Sequence, residues 1–323
     1  MFRFKSRSVG EAKNIHSSRK PLSSISGISG LLAAFAFVLT LVAPVQAQER
    51  VYTTIVPLGA RSSTAFGINA RGDVVGTFVD QNFVQHGFLL SKGEFTVIDV
   101  PEAQGTIARG IGPDGDIVGN YWLADDPAVA ARGFLLTKKG EFINLRYEPG
   151  SGAHQPDWEI AQRILPDGTI LGCRHDDDMM ESMRGIRIGK DGASEIDAFS
   201  SMNNGATPDL RLIVGWWIDM MVNPPVGQTQ GYMIQDGVFT PFMVPDSNLT
   251  QAWDVNPDGT IVGSYRVGTT VRGFAKTGET YTTIHYPGST VTRAFGINAG
   301  GDIVGNYVVG GVTRAFLARQ IEE

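Results

Sequence analysis

Cysteine is almost absent from this chain of 323 residues: Cys173 stands alone. One cysteine cannot close an internal disulfide, so stability must come from a packed core, and no N-terminal cysteine is available to carry a lipid. Histidine is scarce too, with five in all. The four that lie beyond the leader described next, His86, His154, His175 and His285, stand in no Gly-x-Ser-x-Gly, His-Glu-x-x-His or phosphate-loop context, so nucleophilic and zincin-type catalysis find no foothold. Helical periodicity is nearly missing after residue 47.

The first 47 residues read as a secretory leader and 48–323 as one domain. Arg3, Lys5, Arg7, Lys13, Arg19 and Lys20 form a basic head, "LLAAFAFVLTLV" from Leu31 to Val42 an apolar run, and Val45 and Ala47 the small residues before a cleavage site. Twelve apolar residues fall short of the roughly 20 that a spanning helix needs, so no membrane span is expected after cleavage. Without the leader the chain keeps 21 basic and 32 acidic residues, a net charge of −11. That balance excludes the basic surface that nucleic acid demands and argues against anionic membranes.

What is present is repetition. "AFGINARGDVVG" occupies 65–76 and "AFGINAGGDIVG" occupies 294–305. Related runs end at Gly119, Gly172 and Gly263, and a decayed copy, "TPDLRLIVG", ends at Gly215. Successive terminal glycines are 43, 53, 43, 48 and 42 residues apart, a period typical of repeat architectures. Each repeat holds four short β-like segments, A to D, separated by Pro-Asp-Gly, Asn-x-x-Gly or Lys-Gly-Glu turns. Four antiparallel strands at this spacing predict a β-propeller blade. The glycine of segment B is expected where a bulkier side chain would hold adjacent sheets apart.

The two ends are offset. "VYTTIVPLGA" at 51–60 is a D segment with no A, B or C before it, and "RAFLARQ" at 314–320 is a C segment with no D after it. The expectation is an all-β, six-bladed β-propeller, closed by the N-terminal strand 51–57 pairing beside 313–319 to complete the last blade. Closure removes free sheet edges; an open β-solenoid would leave the offset unexplained.

The run "GINxxGDIVGxY…GFL…F…IDxPG" resembles the bacterial secreted repeat proteins known as HAF-family extracellular repeats, over essentially 51–319. The His-Ala-Phe triplet itself is replaced by "HGF", "RGF" and "RAF". The resemblance implies an exported protein, secreted or held in the periplasm or cell envelope of a bacterium, with no catalytic motif to carry over.

Alternating strands place the A–B and C–D turns on one face and the B–C and D–A loops on the other. The second set varies in length and composition, and function usually lives on such loops. "YWLADDPAVAA", "CRHDDDMMESM" and "WWIDMMVNPPVGQ" are its longest B–C members. A ligand site is therefore expected there, on Trp122, Trp158, His175, Asp176, Trp216 and Trp217, with Trp253 near the same rim. Indole faces stack on sugars and cations, although blade packing also uses aromatics. "HDDD" at 175–178 could hold Ca²⁺ or Mg²⁺; a solvated acidic loop is the favoured reading, and no cofactor is expected. Cys173, beside Arg174 and His175, reads as structural, and Arg71-Gly72-Asp73 as turn chemistry. The function expected is a monomeric, non-catalytic binding module for a glycan, peptide or envelope protein. The alternative is a polysaccharide hydrolase or lyase using Asp125, Asp126, Asp176–Asp178, Asp219 or His175.

Overall fold

The computed structural model describes residues 49–126, 131–145, 158–175, 183–196, 198, 200–222 and 227–321, with Trp158 described as backbone only. Among these residues every regular element is a β-strand. The first unit is the antiparallel meander β2 (Ser62–Ile68), β3 (Val74–Val79), β4 (Gln85–Ser91) and β5 (Glu94–Ile98), preceded by a lone strand β1 (Arg50–Ile55). The second is β6 (Gly105–Ile111), β7 (Ile117–Trp122), β8 (Arg132–Leu136) and β9 (Phe142–Asn144). The third is β10 (Trp158–Ile164), β11 (Ile170–His175), β12 (Arg184–Gly189) and β13 (Gly192–Glu195). The fourth is β14 (Met202–Ala206), β15 (Leu212–Asp219), β16 (Gln228–Gln235) and β17 (Val238–Phe242). The fifth is β18 (Leu249–Val255), β19 (Ile261–Val267), β20 (Thr270–Thr277) and β21 (Thr280–Ile284). Then come β22 (Val291–Ile297), β23 (Ile303–Val309) and β24 (Val312–Gln320), with β1 as the fourth strand of that last unit.

The pairing expected between the two ends is present. β1 runs antiparallel to β24 from Arg50 opposite Gln320 to Ile55 opposite Ala315. Ile55, Ala65, Phe78 and Phe88 share one buried cluster with Val304, Ala315 and Leu317, so the first unit packs against the last. Equivalent clusters join each pair of consecutive units, such as Val75, Ile98 and Ala108 with Ile117 and Phe134, or Val214 and Val244 with Ala252 and Phe274.

The repeated residues have local reasons to be there. In the turn after β2, Asn69 Oδ1 accepts from the Arg71 and Asp73 backbone N–H groups, both at 3.0 Å. Gly72 takes φ +81°, which L side chains avoid. The Arg-Gly-Asp triplet is therefore turn chemistry, as expected. The segment-B glycine corrects an expectation. A Cβ on Gly119 would strike the carbonyl of Ile107 on β6 and, at 2.8 Å, the Phe134 ring on β8. The obstacle is the phenylalanine of the same sheet, not a neighbouring sheet. Phe88, Phe134, Tyr232, Phe274 and Phe316 fill this place in five units, each no more than 1% exposed.

The two turn faces separate as the strand order requires. Ser91 Oγ donates to Asp73 Oδ1 at 2.6 Å, tying a C–D turn to an A–B turn. On the other side Gln81 Nε2 donates to the Gly59 carbonyl at 3.0 Å, and the Arg61 guanidinium lies 4.2 Å from the Phe83 ring centroid.

Candidate functional site

Of the residues expected to hold the ligand, those that the structure describes stand on strands of three units, the second, third and fourth. Trp122 ends β7 half-buried, its indole laid over Gly105 on β6, where a Cβ would collide with it. Trp158 opens β10 and pairs in register with His175 at the end of β11. His175 Nε2 lies 3.1 Å from Cys173 Sγ. Asp176, with Asp177 and Asp178, falls outside the described residues. Trp216 and Trp217 lie inside β15, not on the loop after it, so their side chains leave opposite faces of one sheet. Trp216 is 9% exposed and packs with Cys173, Met183 and Met202. Trp217 meets Phe239 edge-on at 5.5 Å.

The loop carboxylates that are described have structural tasks. Asp126 takes a bidentate pair from Arg132, 2.6 Å at its shortest, and accepts the Leu123 N–H. Those bonds to Arg132 hold its carboxyl below the usual range despite partial burial. Asp219 accepts from Met221 N and Gln230 Nε2 within its own hairpin. Among the described residues no three His, Cys, Asp or Glu side chains converge as metal ligands.

A different constellation does form. The first strand of every unit carries one extra residue relative to its partner, a β-bulge. The register skips Phe66, Arg109, Gln162, Asn204, Trp253 and Phe295. A bulge re-aims a side chain, and contacts link the six in unit order, directly from Trp253 through Phe295, Phe66 and Arg109 to Gln162 and through neighbouring residues for Asn204. Trp253 and Phe295 lie 5.1 Å apart, as do Phe295 and Phe66. The Arg109 guanidinium sits 5.0 Å from the Phe66 ring, and Arg109 Nη1 is 3.5 Å from Gln162 Oε1. Gln162 Nε2 contacts Met202 Sδ at 3.1 Å, and Asn204 Nδ2 donates to the Ala252 carbonyl at 2.8 Å. Gln162, Asn204 and Phe295 are buried, whereas Phe66, Arg109 and Trp253 are partly exposed.

The residue after each bulge decides how closely the strands approach. It is glycine at 67, 110, 205 and 296. A Cβ on Gly110 would stand 2.6 Å from the Gln162 carbonyl oxygen, and one on Gly296 2.8 Å from that of Phe66. The other two units place Arg163 and Asp254 there. Their side chains pair at 3.1 Å, and the residues are 9% and 7% exposed. Arg163 also donates to the carbonyls of Gln162, Arg109, Phe66 and Phe295 at 2.8, 3.1, 3.1 and 2.5 Å. Asp254 accepts from the backbone N–H groups of Val255 and Ile297.

Arg109 has no such counterion. Its Nε donates to Asn120 Oδ1 at 2.6 Å, but no carboxylate among the described residues meets it. Burial lowers its pKa to about 10, the nearby Arg163 adding to the effect, so it stays protonated at neutral pH. Burial pushes the Cys173 thiol up to about 12, which makes it a neutral core group and not a nucleophile. Four buried atoms around the same centre make no hydrogen bond: Trp216 Nε1, Trp253 Nε1, Asn204 Oδ1 and Arg163 Nε, the last of which meets Asp254 as an ion pair alone.

This girdle escaped sequence reasoning, although a signal existed. Aligned on segment A, the repeats read "AFGIN", "ARGIG", "AQRIL", "NNGAT", "AWDVN" and "AFGIN". The second column varies freely inside an otherwise constrained strand, as a position released from sheet packing would.

No protein-family model and no curated protein matches the chain. Solved structures do. The sialidase of Trypanosoma rangeli with bound sialic acid aligns over 84% of this chain and 59% of its own, at 7% identity and a TM-score of 0.51. The β-propeller domain of the Trilobed protease from Pyrococcus furiosus aligns over 81% and 86%, at 13% identity and 0.49. A streptogramin B lyase aligns over 85% and 100%, at 13% identity and 0.46. Of these three the sialidase alone carries an argument, and it concerns the fold. Together with the strand order, it defines an all-β protein of propeller-like four-stranded repeats.

Proposed function

We propose that this chain is an exported, non-catalytic binding module of the HAF-repeat type, built as a closed six-bladed propeller. Closure is supported by the β1–β24 pairing and by the cluster uniting first and last units. The ligand, a glycan or peptide, enters from the B–C and D–A face and comes to rest on the bulge girdle at the ring centre. Trp122, His175 and Trp217 then belong to the walls and rim of that approach, and Trp216 to its packing.

One observation carries this reading. Phe66, Arg109 and Trp253, from three different units, stay partly exposed beside buried Gln162, Asn204 and Phe295. Aromatic faces with a few fixed polar groups are the usual chemistry of a small-ligand site. The hydrolase reading draws on carboxylates of which Asp126 and Asp219 are already committed to structural bonds.

The test is a glycan-array screen of the purified protein, with and without divalent cations, repeated on Trp253→Ala and Lys139→Ala. Binding should vanish in Trp253→Ala while its thermal melt stays cooperative, and should persist in Lys139→Ala on the tight-turn face. Release of shortened oligosaccharides during incubation would refute the non-catalytic reading.

A further inference from the structure

We propose that the group recognised at the girdle is a carboxylate, seated on the Arg109 guanidinium with the ligand's ring or apolar body against Phe66 and Trp253. This rests on the binding-module reading and adds the ligand's chemical class.

The girdle and the residues beside it hold two cations and one anion. Arg163 is committed to Asp254 and to four backbone carbonyls, which leaves Arg109 as the uncompensated charge. A partly buried cation without a counterion is unfavourable, and an anionic partner relieves it. Asn120 fixes the guanidinium through Nε, and Nη1 reaches Gln162 only at 3.5 Å. Nη2 makes no hydrogen bond, so the Nη edge of the planar fork is offered to a ligand, and that edge matches a carboxylate.

The surroundings agree. The Phe66 ring lies 5.0 Å from the cation and offers it a π face. Trp253 Nε1–H and Asn204 Oδ1 are a donor and an acceptor without partners, but both atoms are enclosed by protein, so the ligand's contacts are with the Arg109 fork and the exposed parts of the Phe66 and Trp253 rings. The part of the chain from 48 onward carries a net charge of −11, so a positive centre is a local exception and not a share of a basic surface.

The experiment measures calorimetric binding and tryptophan fluorescence of the full protein with galacturonate and benzoate. Galactose and benzamide serve as neutral counterparts and inorganic phosphate as a non-planar anion. The acids should bind saturably and the neutral compounds should not. Arg109→Gln should weaken the acids by about thirtyfold or more, the loss expected when one partner of a buried charge pair is removed. Arg109→Lys, which keeps the charge but not the fork, should recover only part of that loss, and Lys139→Ala should change nothing. Equal binding of acids and neutral compounds, no saturable binding of either acid, or phosphate binding as tightly as the acids would each overturn the proposal. Array binding that survives Arg109→Gln but is lost in Trp253→Ala would remove the carboxylate and leave the binding module standing.

Discussion

Replacing Arg163 with methionine removes one side chain that touches four units. Asp254 would be left 7% exposed without its cation, and the carbonyls of Arg109, Gln162, Phe66 and Phe295 would each lose a donor. At 3.1 Å the gross attraction of the pair is about 5 kcal/mol in a medium of effective dielectric near 20, most of it offset by desolvation. Breaking such a pair from one side costs about 3–5 kcal/mol. Asp254→Asn should cost less, about 1–3 kcal/mol, because Arg163 keeps its four carbonyls and the amide oxygen can still accept a backbone N–H. The double variant should be less damaging than the sum of the singles by at least about 1 kcal/mol, since neither leaves an orphan charge. Equilibrium unfolding in urea at pH 7 measures all three. A cost below about 1 kcal/mol for Arg163→Met, or strict additivity in the cycle, would show that the ion pair does not bind the inner strands together.

Gly110→Ala places a methyl 2.6 Å from the Gln162 carbonyl and 2.9 Å from the Arg163 Cα; both are backbone, so a loss of about 3 kcal/mol or more is expected in the same assay. Cys173, fully buried with its pKa pushed to about 12, should react with a thiol reagent at pH 8 only at the rate of unfolding; rapid labelling of the native protein would refute its burial. Asp126 and Asp73 are held below the usual carboxylate range. The causes are Arg132 in the first case and, against an opposing burial effect, Ser91, Asn69 and Arg71 in the second. Their stabilising contribution is present above the unfolded pKa of 3.8 and is lost as pH falls through the lower folded value. Asp126→Asn should therefore flatten the acid limb of a stability–pH curve. Deleting 48–58 removes Ile55 from its cluster and bares the edge of β24. The shortened protein should aggregate or melt early, and one as stable and monomeric as the parent would argue against closure.

Much of this architecture was legible because turns and glycines punctuate it. "NARGDVVG" and its relatives mark the A–B hairpins, and the likeness of "YTTIV" at 52–56 to "YTTIH" at 281–285 pointed to β1 as a displaced fourth strand. The site was less legible for a physical reason. A bulge is a property of two strands in register, and "TAFGIN" alone reads as unbroken alternation. Only pairing with "VVGT" shows that Phe66 has no partner. Trp216 was illegible for a related reason. Trp216 and Trp217 stand after the segment-B glycine, where other units also continue the strand, as with Thr77-Phe78 or Asn120-Tyr121. Composition marks both as rim residues, whereas register turns Trp216 to the buried side of the sheet.

The pairing of β1 with β24 also sets a clock. Ile55 and Ala315 are neighbours in the sheet, yet about 260 residues of synthesis separate them. At about 5–20 residues per second, the first strand waits roughly 13–52 s before its partner exists. During that interval its N–H and C=O groups face water or a wrong strand, and no local contact can substitute. Among the described residues every other antiparallel pairing joins strands adjacent in the chain and can form as they emerge; the β1–β24 pairing cannot. An unengaged first strand over that time is a demand that the interior units, each built from its own hairpins, do not make.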